Sequence, residues 1–521
     1  MSLPGWLEPL ADAAEQRALD EWAIDARGIP GLELMERAGG GLTAVVAKMA
    51  PDGPIAVVCG KGNNGGDGLV TARLLRERGR EVRALTLAPV DELRGDARTN
   101  AERLQGDTPE PFEPARLEGA AAIVDAILGT GFADAPREPA RSAIEAINAS
   151  AEHAVVVACD VPSGVNASTG EVAGAAVRAH ATVTFHAAKP GLWIAPGKAH
   201  TGEVMVVDIG IPPGGPLDPN IGLITDAVTE GIPRRGADST KFAAGSVLVC
   251  GGSTGLTGAP CMASEAAMRA GAGYVTALVP ASLNLIFESQ LLEVMTVPLP
   301  DASGMLASDG IEEALSRSMR VQSLVLGPGL GREPESQRFA REVALGAPLP
   351  LLLDADGLNA HAGMLDSLAE RRAATVMTPH AGELGRLLDR DSGEVQAHRL
   401  ESARTAAARA QAVIVLKGDD TLVAEPGGRV GVSRGGAPAL ATAGTGDVLS
   451  GVIGAYLAKR MDPFHATCAG VFVHTAAGRL AARTIGAEGV IASDVIALLP
   501  KALASTSGDE QAARGDGEGL R

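Results

Sequence analysis

Aromatic side chains are almost missing from this sequence: Phe, Tyr and Trp together make up 2% of 521 residues. Hydrophobic content is nonetheless 46%, so the cores must be built from Ala, Val, Leu and Ile. There is no supply of rings on which single-stranded nucleic-acid bases could stack. Paired cysteine spacing is also lacking. Cys59, Cys159, Cys250, Cys261 and Cys468 are an odd number without a C-x-x-C, and three of them lie in or at the end of apolar runs, which reads as buried thiols in a reducing compartment. Excess positive charge is missing too. With 45 Lys and Arg against 63 Asp and Glu, the net charge is −18, which excludes the basic footprint a nucleic-acid backbone requires. A polyanionic ligand would have to be held by local N–H groups, a few Lys or Arg and a divalent cation. No uncharged apolar stretch approaches the roughly 20 residues of a membrane helix. The start, Met1 to Trp6, has no basic region followed by an apolar run. These absences predict a soluble cytoplasmic protein that binds neither nucleic acid nor membrane.

What is present is one grammar used twice. The length predicts two large domains or three smaller ones. Ile55 to Cys59 is a short apolar run, Gly60 to Gly68 a glycine-rich turn, Leu69 to Arg78 a helix and Val82 to Leu87 the next strand. Further strands are expected at Ile123 to Leu128, Ala154 to Cys159, Ala181 to Phe185 and Gly202 to Ile209. Their alternation with helices predicts a mainly parallel sheet covered on both faces. Pro and Gly breaks then put a domain boundary near 232 to 237, dividing 1–232 from 238–504. The second half restarts with Ser246 to Cys250 and the glycine-rich Gly251 to Gly258. It continues through strands at Leu324, Leu351, Ala374 and Ala412, a hairpin around Pro426-Gly-Gly428, and alanine-rich helices at about 446–460 and 464–484. Those helices offer a homo-oligomer surface. The polar, glycine-rich 505–521 reads as a disordered tail. The expected fold class is α/β with two doubly wound domains.

The chemistry concentrates at predicted strand ends. Gly444, Thr445 and Gly446 precede Asp447 and a segment whose apolar residues recur at helical spacing, so an anion can sit on a helix N-terminus. Taken alone, Asp447 is equally well an N-cap. Four companion loops fall on the same edge of the predicted sheet: Gly327 to Gly331, Asp354 to Gly357, Thr378 to Glu383 and Lys417 to Thr421. A strand-end histidine such as His380, by itself, is more often structural than a ligand contact.

With these residues in view, the half from about 238 to 500 resembles the ribokinase-like ADP/ATP-dependent NAD(P)H-hydrate dehydratases. The carrying motifs are Gly251-Gly-Ser-Thr-Gly-Leu-Thr-Gly-Ala259, Leu326-Gly-Pro-Gly-Leu-Gly331, Leu353-Asp-Ala-Asp-Gly-Leu358, Thr378-Pro-His-Ala-Gly-Glu383, Leu416-Lys-Gly418 and Ala443-Gly-Thr-Gly-Asp447. The N-terminal half resembles the Rossmann-like YjeF-type NAD(P)H-hydrate epimerase domain through Leu34-Met-Glu-Arg-Ala-Gly39, Gly62-Asn-Asn-Gly-Gly-Asp-Gly68, Val124-Asp-Ala-Ile-Leu-Gly-Thr-Gly131 and Asp160-Val-Pro-Ser-Gly164. The order of the halves is that of the bifunctional bacterial repair enzymes. One departure stands at Thr240-Lys241-Phe242, where the family commonly has His-Lys-Gly, and no catalytic role is assigned to that segment.

The resemblance implies substrates NADHX and NADPHX, in which water has added across a nicotinamide double bond. It implies epimerisation of the R and S hydrates, then ADP- or ATP-dependent dehydration of the S form with release of AMP and phosphate when ADP is the donor. Asn63, Asn64, Gly65, Gly66 and Asp67, with Gly129, Thr130, Gly131, Phe132, Ala133, Asp134 and Ala135, would cradle the dinucleotide beside a catalytic Asp160. Asn64, Asp125 and Ser163 match a potassium site, and capping remains the alternative for Asp125 and Asp160. Lys417, Gly418, Asp419, Asp420, Thr421 and Gly446 would contact the nucleotide, while Ala259, Gly329, His380 and the general base Asp447 would face the hydrate. Mg²⁺ is expected, with Glu383 contributing through water. Two rivals stay open: a ribokinase-like small-molecule kinase, and an N-terminal half that only senses a ligand or serves as a scaffold.

Overall fold

The computed structural model describes residues 3–104, 108–237, 240–241 and 243–505. Of the tail expected at 505–521, Ser505 closes the last helix, Ala492–Ser505, and the rest lies outside the described residues, as does Phe242. The chain divides into two compact units, Pro9–Gly222 and a second made of Pro4–Glu8 with the chain from Leu223 onward. The units part ahead of the Pro and Gly break at 232–237, where the chain is already in a strand, Ile221–Ile224.

Strand β1 (Leu7–Pro9) joins the sheet of the second unit. The first unit's sheet contains β2 (Ile55–Cys59), β3 (Val82–Thr86), β4 (Glu110–Pro111), β5 (Ala122–Ala126), β6 (Val155–Cys159), β7 (Ala181–Phe185) and β8 (Glu203–Val207). Their order is β4-β3-β2-β5-β6-β7-β8, with every pair parallel. Strand side chains alternate between faces. In β2, Ile55, Val57 and Cys59 enter one apolar cluster and Ala56 and Val58 another, so helices must cover both faces. The chain runs outward from β2 to β4 and restarts on the other side with β5. The carboxyl ends of β2 and β5 are thus the switch point at which open sheets of this kind bind ligands.

The glycine-rich run after β2 is mostly not a turn, since the helix Asn63–Glu77 begins inside it. Glycine is required there for close approach. A Cβ on Gly65 would stand 1.9 Å from the Gly60 carbonyl oxygen, and one on Gly68 2.6 Å from the Ala126 side chain. The absent side chains let the helix start directly against the ends of β2 and β5.

The second unit adds β9 (Ile221–Ile224), β10 (Ser246–Cys250), β11 (Tyr274–Pro280), β12 (Met295–Leu299), a small hairpin of β13 (Asp301–Ala302) and β14 (Met305–Leu306), β15 (Ser323–Leu326), β16 (Leu351–Leu353), β17 (Thr375–Met377), β18 (Val413–Leu416), β19 (Leu422–Ala424) and β20 (Val430–Val432). The main sheet runs β1-β9-β20-β19-β18-β17-β16-β15-β10-β11-β12. It is parallel from β18 through β12 and antiparallel across β18, β19 and β20, in agreement with the hairpin expected around Pro426. Its order reverses at β10 and β15. The alanine-rich helices Thr445–Ala458 and Pro463–Ile485 bury most of their residues inside this unit. All five cysteines are buried and free. Among the described residues no helix is long and apolar enough to cross a membrane.

Helix Thr445–Ala458 lies so close to helix Gly258–Arg269 that a Cβ on Gly451 would fall 2.1 Å from the Ala263 carbonyl oxygen. Gly451→Ala should therefore destabilise this unit by roughly 1–3 kcal/mol, the usual cost of overpacking. Thermal unfolding checks this; an unchanged melting temperature would contradict the packing.

Candidate active sites in the two units

In the first unit the switch point opens into a cavity of about 810 Å³, lined among others by Asn63, Asn64, Asp67, Asp160 and Lys189. Gly129, Thr130, Gly131 and Phe132 also reach it, whereas Gly65 and Gly66 are buried behind its wall and Ala133, Asp134 and Ala135 are outside its lining. Asp160 follows β6 with φ at 65°, a left-handed conformation uncommon for a residue with a side chain. Its Oδ1 accepts from the Lys189 ammonium at 2.8 Å and the Thr184 hydroxyl at 3.1 Å, and its Oδ2 from the Thr130 N–H at 3.3 Å. Lys189 is 1% exposed and also donates to the Thr184 hydroxyl and the Phe185 carbonyl. Burial alone would raise the Asp160 pKa. The Lys189 ammonium and the three hydrogen bonds outweigh it and hold this carboxylate below its ordinary range.

Beneath the cavity, Asp125 on β5 accepts from Ser163, at 2.6 Å from the hydroxyl and 2.8 Å from the N–H. The Ser163 oxygen in turn accepts from the Leu128 N–H at 2.9 Å. Burial pushes the Asp125 pKa up to about 6 against those bonds. Asn64 is buried, and among the described residues neither its amide nitrogen nor its amide oxygen has a protein partner. Its Oδ1 stands 3.1 Å from the Cβ position of Gly129, in the loop that follows β5. An amide oxygen, a buried carboxylate and a hydroxyl are donors of the kind a hard monovalent cation takes.

In the second unit the loops after β10, β15, β16, β17 and β18 share the carboxyl edge. Gly329 has φ at 62°, and a Cβ there would lie 3.3 Å from the Ala259 side chain, so these two expected substrate contacts are neighbours. Gly444, with φ at 89°, turns the chain into helix Thr445–Ala458. A Cβ on Gly446 would be 3.5 Å from the Lys417 ammonium, which puts that cation beside the anion loop. Lys417 Nζ contacts Asp354 Oδ1 at 3.2 Å and lies 3.7 Å from Glu383 Oε2, while the Ser450 hydroxyl donates to Asp354 Oδ2 at 2.7 Å. Burial opposes the lysine's charge, but Asp354 and Glu383 raise its pKa above the usual lysine value. Asp447 is lifted to about 7 by burial, and by the Asp354 and Glu383 charges, with Lys417 pulling the other way.

Two expected contacts have structural duties. His380 caps helix Ala381–Leu388, its Nδ1 accepting the Gly382 N–H at 3.0 Å while Glu383 Oε2 accepts the His380 N–H at 2.9 Å. Asp420 is turned into the protein. It is 2% exposed and accepts from Arg399 Nε at 2.9 Å. The remaining members of that loop stay at the edge: the Thr421 hydroxyl closes on the Gly418 carbonyl at 2.6 Å, and Asp419 Oδ1 accepts the Gly436 N–H at 2.7 Å.

The family model described as NAD(P)H-hydrate dehydratase matches residues 247–501, and that described as YjeF-related protein N-terminus matches residues 31–191. The bifunctional NAD(P)H-hydrate repair enzyme of Moorella thermoacetica is 40% identical over 95% of this chain and 96% of its own length. The chain belongs to the family of bifunctional NAD(P)H-hydrate repair enzymes. That of Salinibacter ruber is 37% identical over 96% of this chain and 97% of its own length, and that of Escherichia coli 34% over 92% and 91%. Among solved structures, an ADP/ATP-dependent NAD(P)H-hydrate dehydratase from Bacillus subtilis, co-crystallized with ATP/Mg²⁺, is 30% identical and covers 55% of this chain and 99% of its own, with a TM-score of 0.48.

Within this family member, four side chains at the sites escape motif reading. Lys189 stands alone before a proline; only its position just past β7 on the ligand edge points to it. Asp354 sits inside a recognised loop, where nothing in the motif separates its role from that of Asp356. His474, on helix Pro463–Ile485, hydrogen-bonds to the backbone of Thr445, and burial pushes it down to about 4, so it is neutral. Arg399 lies on helix Arg399–Ala410 and binds the loop through Asp420 and the Leu416 and Lys417 carbonyls, each 3.3 Å away. Lys241, in the departing segment, lies 5.7 Å from the Tyr274 ring centre.

Arg399→Met would remove the ion pair that Arg399 makes with the buried Asp420, a loss of about 3–5 kcal/mol. The double variant Arg399→Met, Asp420→Leu should recover most of it. Urea unfolding of the single and double variants measures both, and equal stabilities for the wild type and the single variant would remove the pair's structural role.

Proposed function

We propose that this protein repairs hydrated NADH and NADPH, interconverting the R and S hydrates in the first unit and dehydrating the S hydrate in the second at the expense of ADP or ATP. The membership of the family supports both activities. The observation that carries the second is Asp447, at the start of a helix and poised near neutrality beside Lys417. A general base works best when its pKa lies near the working pH. In the proposed step Asp447 takes the proton of the ring hydroxyl as its oxygen attacks the terminal phosphorus of the nucleotide. With ADP, AMP leaves. The ring nitrogen then expels phosphate, and loss of a proton from the adjacent carbon restores the double bond. The N–H groups of Gly444 to Gly446 and the Lys417 ammonium offset charge on the transferring phosphoryl.

Three carboxylates, Asp354, Glu383 and Asp447, against one ammonium leave the site short of positive charge for a polyphosphate. Mg²⁺ would supply it, met through water by Glu383. In the first unit Asn64, Asp125 and Ser163 would hold K⁺, which would balance Asp125 and fix the loop carrying Gly129. The buried thiols support a reducing, cytoplasmic setting.

The test is recovery of reduced-dinucleotide absorbance from mixed epimers with ADP or ATP and Mg²⁺. Wild type should recover all of it, Asp447→Asn none, and Asp160→Asn only about the share that starts as the S form. The rate of recovery by wild type should rise with pH through about 7, because Asp447 is active when ionised and its raised pKa delays ionisation. No recovery with either nucleotide would refute the reading. A stable phosphorylated alcohol in place of orthophosphate would favour the small-molecule kinase.

A further inference from the structure

We propose that Asp67, rather than Asp160, is the residue that gives a proton to the departing ring oxygen in the first unit and receives it back. The inference rests on the epimerase reading above and assigns the acid within it. Losing a hydroxyl from carbon requires a proton donor, because hydroxide is a poor leaving group. The hydrogen bonds around Asp160 do not suit a donor. Three groups point at its oxygens, one of them the Lys189 ammonium, and such a shell stabilises the charged form.

Asp67 presents the opposite environment on the same cavity. It is 9% exposed and sits one turn inside helix Asn63–Glu77, past the first turn where the helix dipole favours an anion. Among the described residues its carboxyl group has no hydrogen bond and no ion pair. The charged and titratable groups around it come from four other elements: Asp20 on helix Ala13–Asp25, Cys59 on β2, Cys159 and Asp160 at the end of β6, and Lys189 after β7. Burial pushes its pKa well above the ordinary carboxylate range, and the charges of Asp160 and Asp20 add to the rise, with Lys189 opposing it. Asp20 is itself raised by burial. One lysine therefore serves one carboxylate, and the balance at Asp67 favours its protonated form.

The step balances without a further reactant. The Asp67 proton goes to the hydroxyl oxygen, the carbon–oxygen bond breaks with the ring-nitrogen lone pair moving in, and water departs. The ring is left as a cation facing the anionic Asp160. Water adds to the other face of the same carbon and a proton returns to Asp67. Asp160 acts as the counter-ion of the cationic ring, which accounts for its tie to Lys189: the ion must stay ionised throughout.

The experiment follows interconversion of purified R and S hydrates by the full-length protein without nucleotide, subtracting the uncatalysed rate, across pH. Wild-type kcat should fall toward alkaline pH, since a raised pKa extends the acid form to higher pH than an ordinary carboxylate and that form is lost as pH rises through it. Asp67→Asn should lose roughly 100-fold or more of kcat, in the range general acids supply, with KM near wild type. Asp67→Glu should retain part of the rate with a displaced alkaline limb. The thermal unfolding profile of the same Asp67→Asn preparation should keep the wild-type transition of the first unit and reports that this unit is folded. Interconversion by Asp67→Asn within a few-fold of wild type overturns the proposal, as does a loss confined to KM or a wild-type rate that climbs with pH. A wild type that does not interconvert the hydrates removes the epimerase activity and this inference together.

Discussion

An ammonium group drawn out of water must be neutralised nearby, and each unit of this protein places such a lysine at the ligand edge of its sheet, Lys189 buried and Lys417 half-buried. The carboxylates around it then share a charge that is too small for all of them. Lys189 is committed to Asp160 at 2.8 Å, so Asp160 ionises easily while Asp67 and Asp20 are driven toward their neutral forms. Lys417 is divided between Asp354 and Glu383, and Asp447 is left near neutrality. Burial raises these carboxylates, and the placement of one positive charge decides which of them escapes the rise.

These lysines can be placed only because backbone comes close to backbone at the strand ends. At the β2 and β5 ends the helix Asn63–Glu77 starts almost on the strand, with no room for a side chain at Gly65. In the second unit a Cβ on Gly327 would fall 2.0 Å from the Asp354 carbonyl oxygen, which brings the loops after β15 and β16 together. The strong acidity of the whole chain would repel a dinucleotide polyphosphate at long range. Binding must then come from short-range donors, and tight loops present N–H groups at that range.

The carboxyl-edge loops are legible in the sequence because glycine, aspartate and threonine at strand ends carry their own physical signal: turns, caps and anion-binding N–H groups. The doubly wound architecture is legible through runs such as Ile55 to Cys59, buried on both faces. The residues just after that run are not. Six positions rich in glycine and asparagine have low helix propensity, yet tertiary packing makes them the opening of a helix. Lys189, Arg399 and His474 are silent for a different reason. Each acts from a segment with no motif and reaches the site only across the fold, and a single lysine, arginine or histidine in a chain carries no trace of the carboxylate or carbonyl it will meet.

The two proposed reactions act on the same carbon–oxygen bond, and that sharpens the contrast between their carboxylates. Protonating the oxygen makes water the leaving group; water is abundant and returns, so the first unit can only redistribute the two hydrates. Phosphorylating the oxygen makes phosphate the leaving group at the cost of a phosphoanhydride bond, so the second unit drains the mixture in one direction. The first reaction calls for a carboxyl group that holds its proton at neutral pH, and the second for one that gives it up. The same buried environment raises both Asp67 and Asp447. In each case a lysine paired with a neighbouring carboxylate opposes the rise; at Asp447 the balance comes to about 7, whereas at Asp67 burial carries the pKa well above the ordinary carboxylate range. One fold principle, a single lysine among several carboxylates at a strand end, thus underlies both the acid proposed for the first unit and the base proposed for the second.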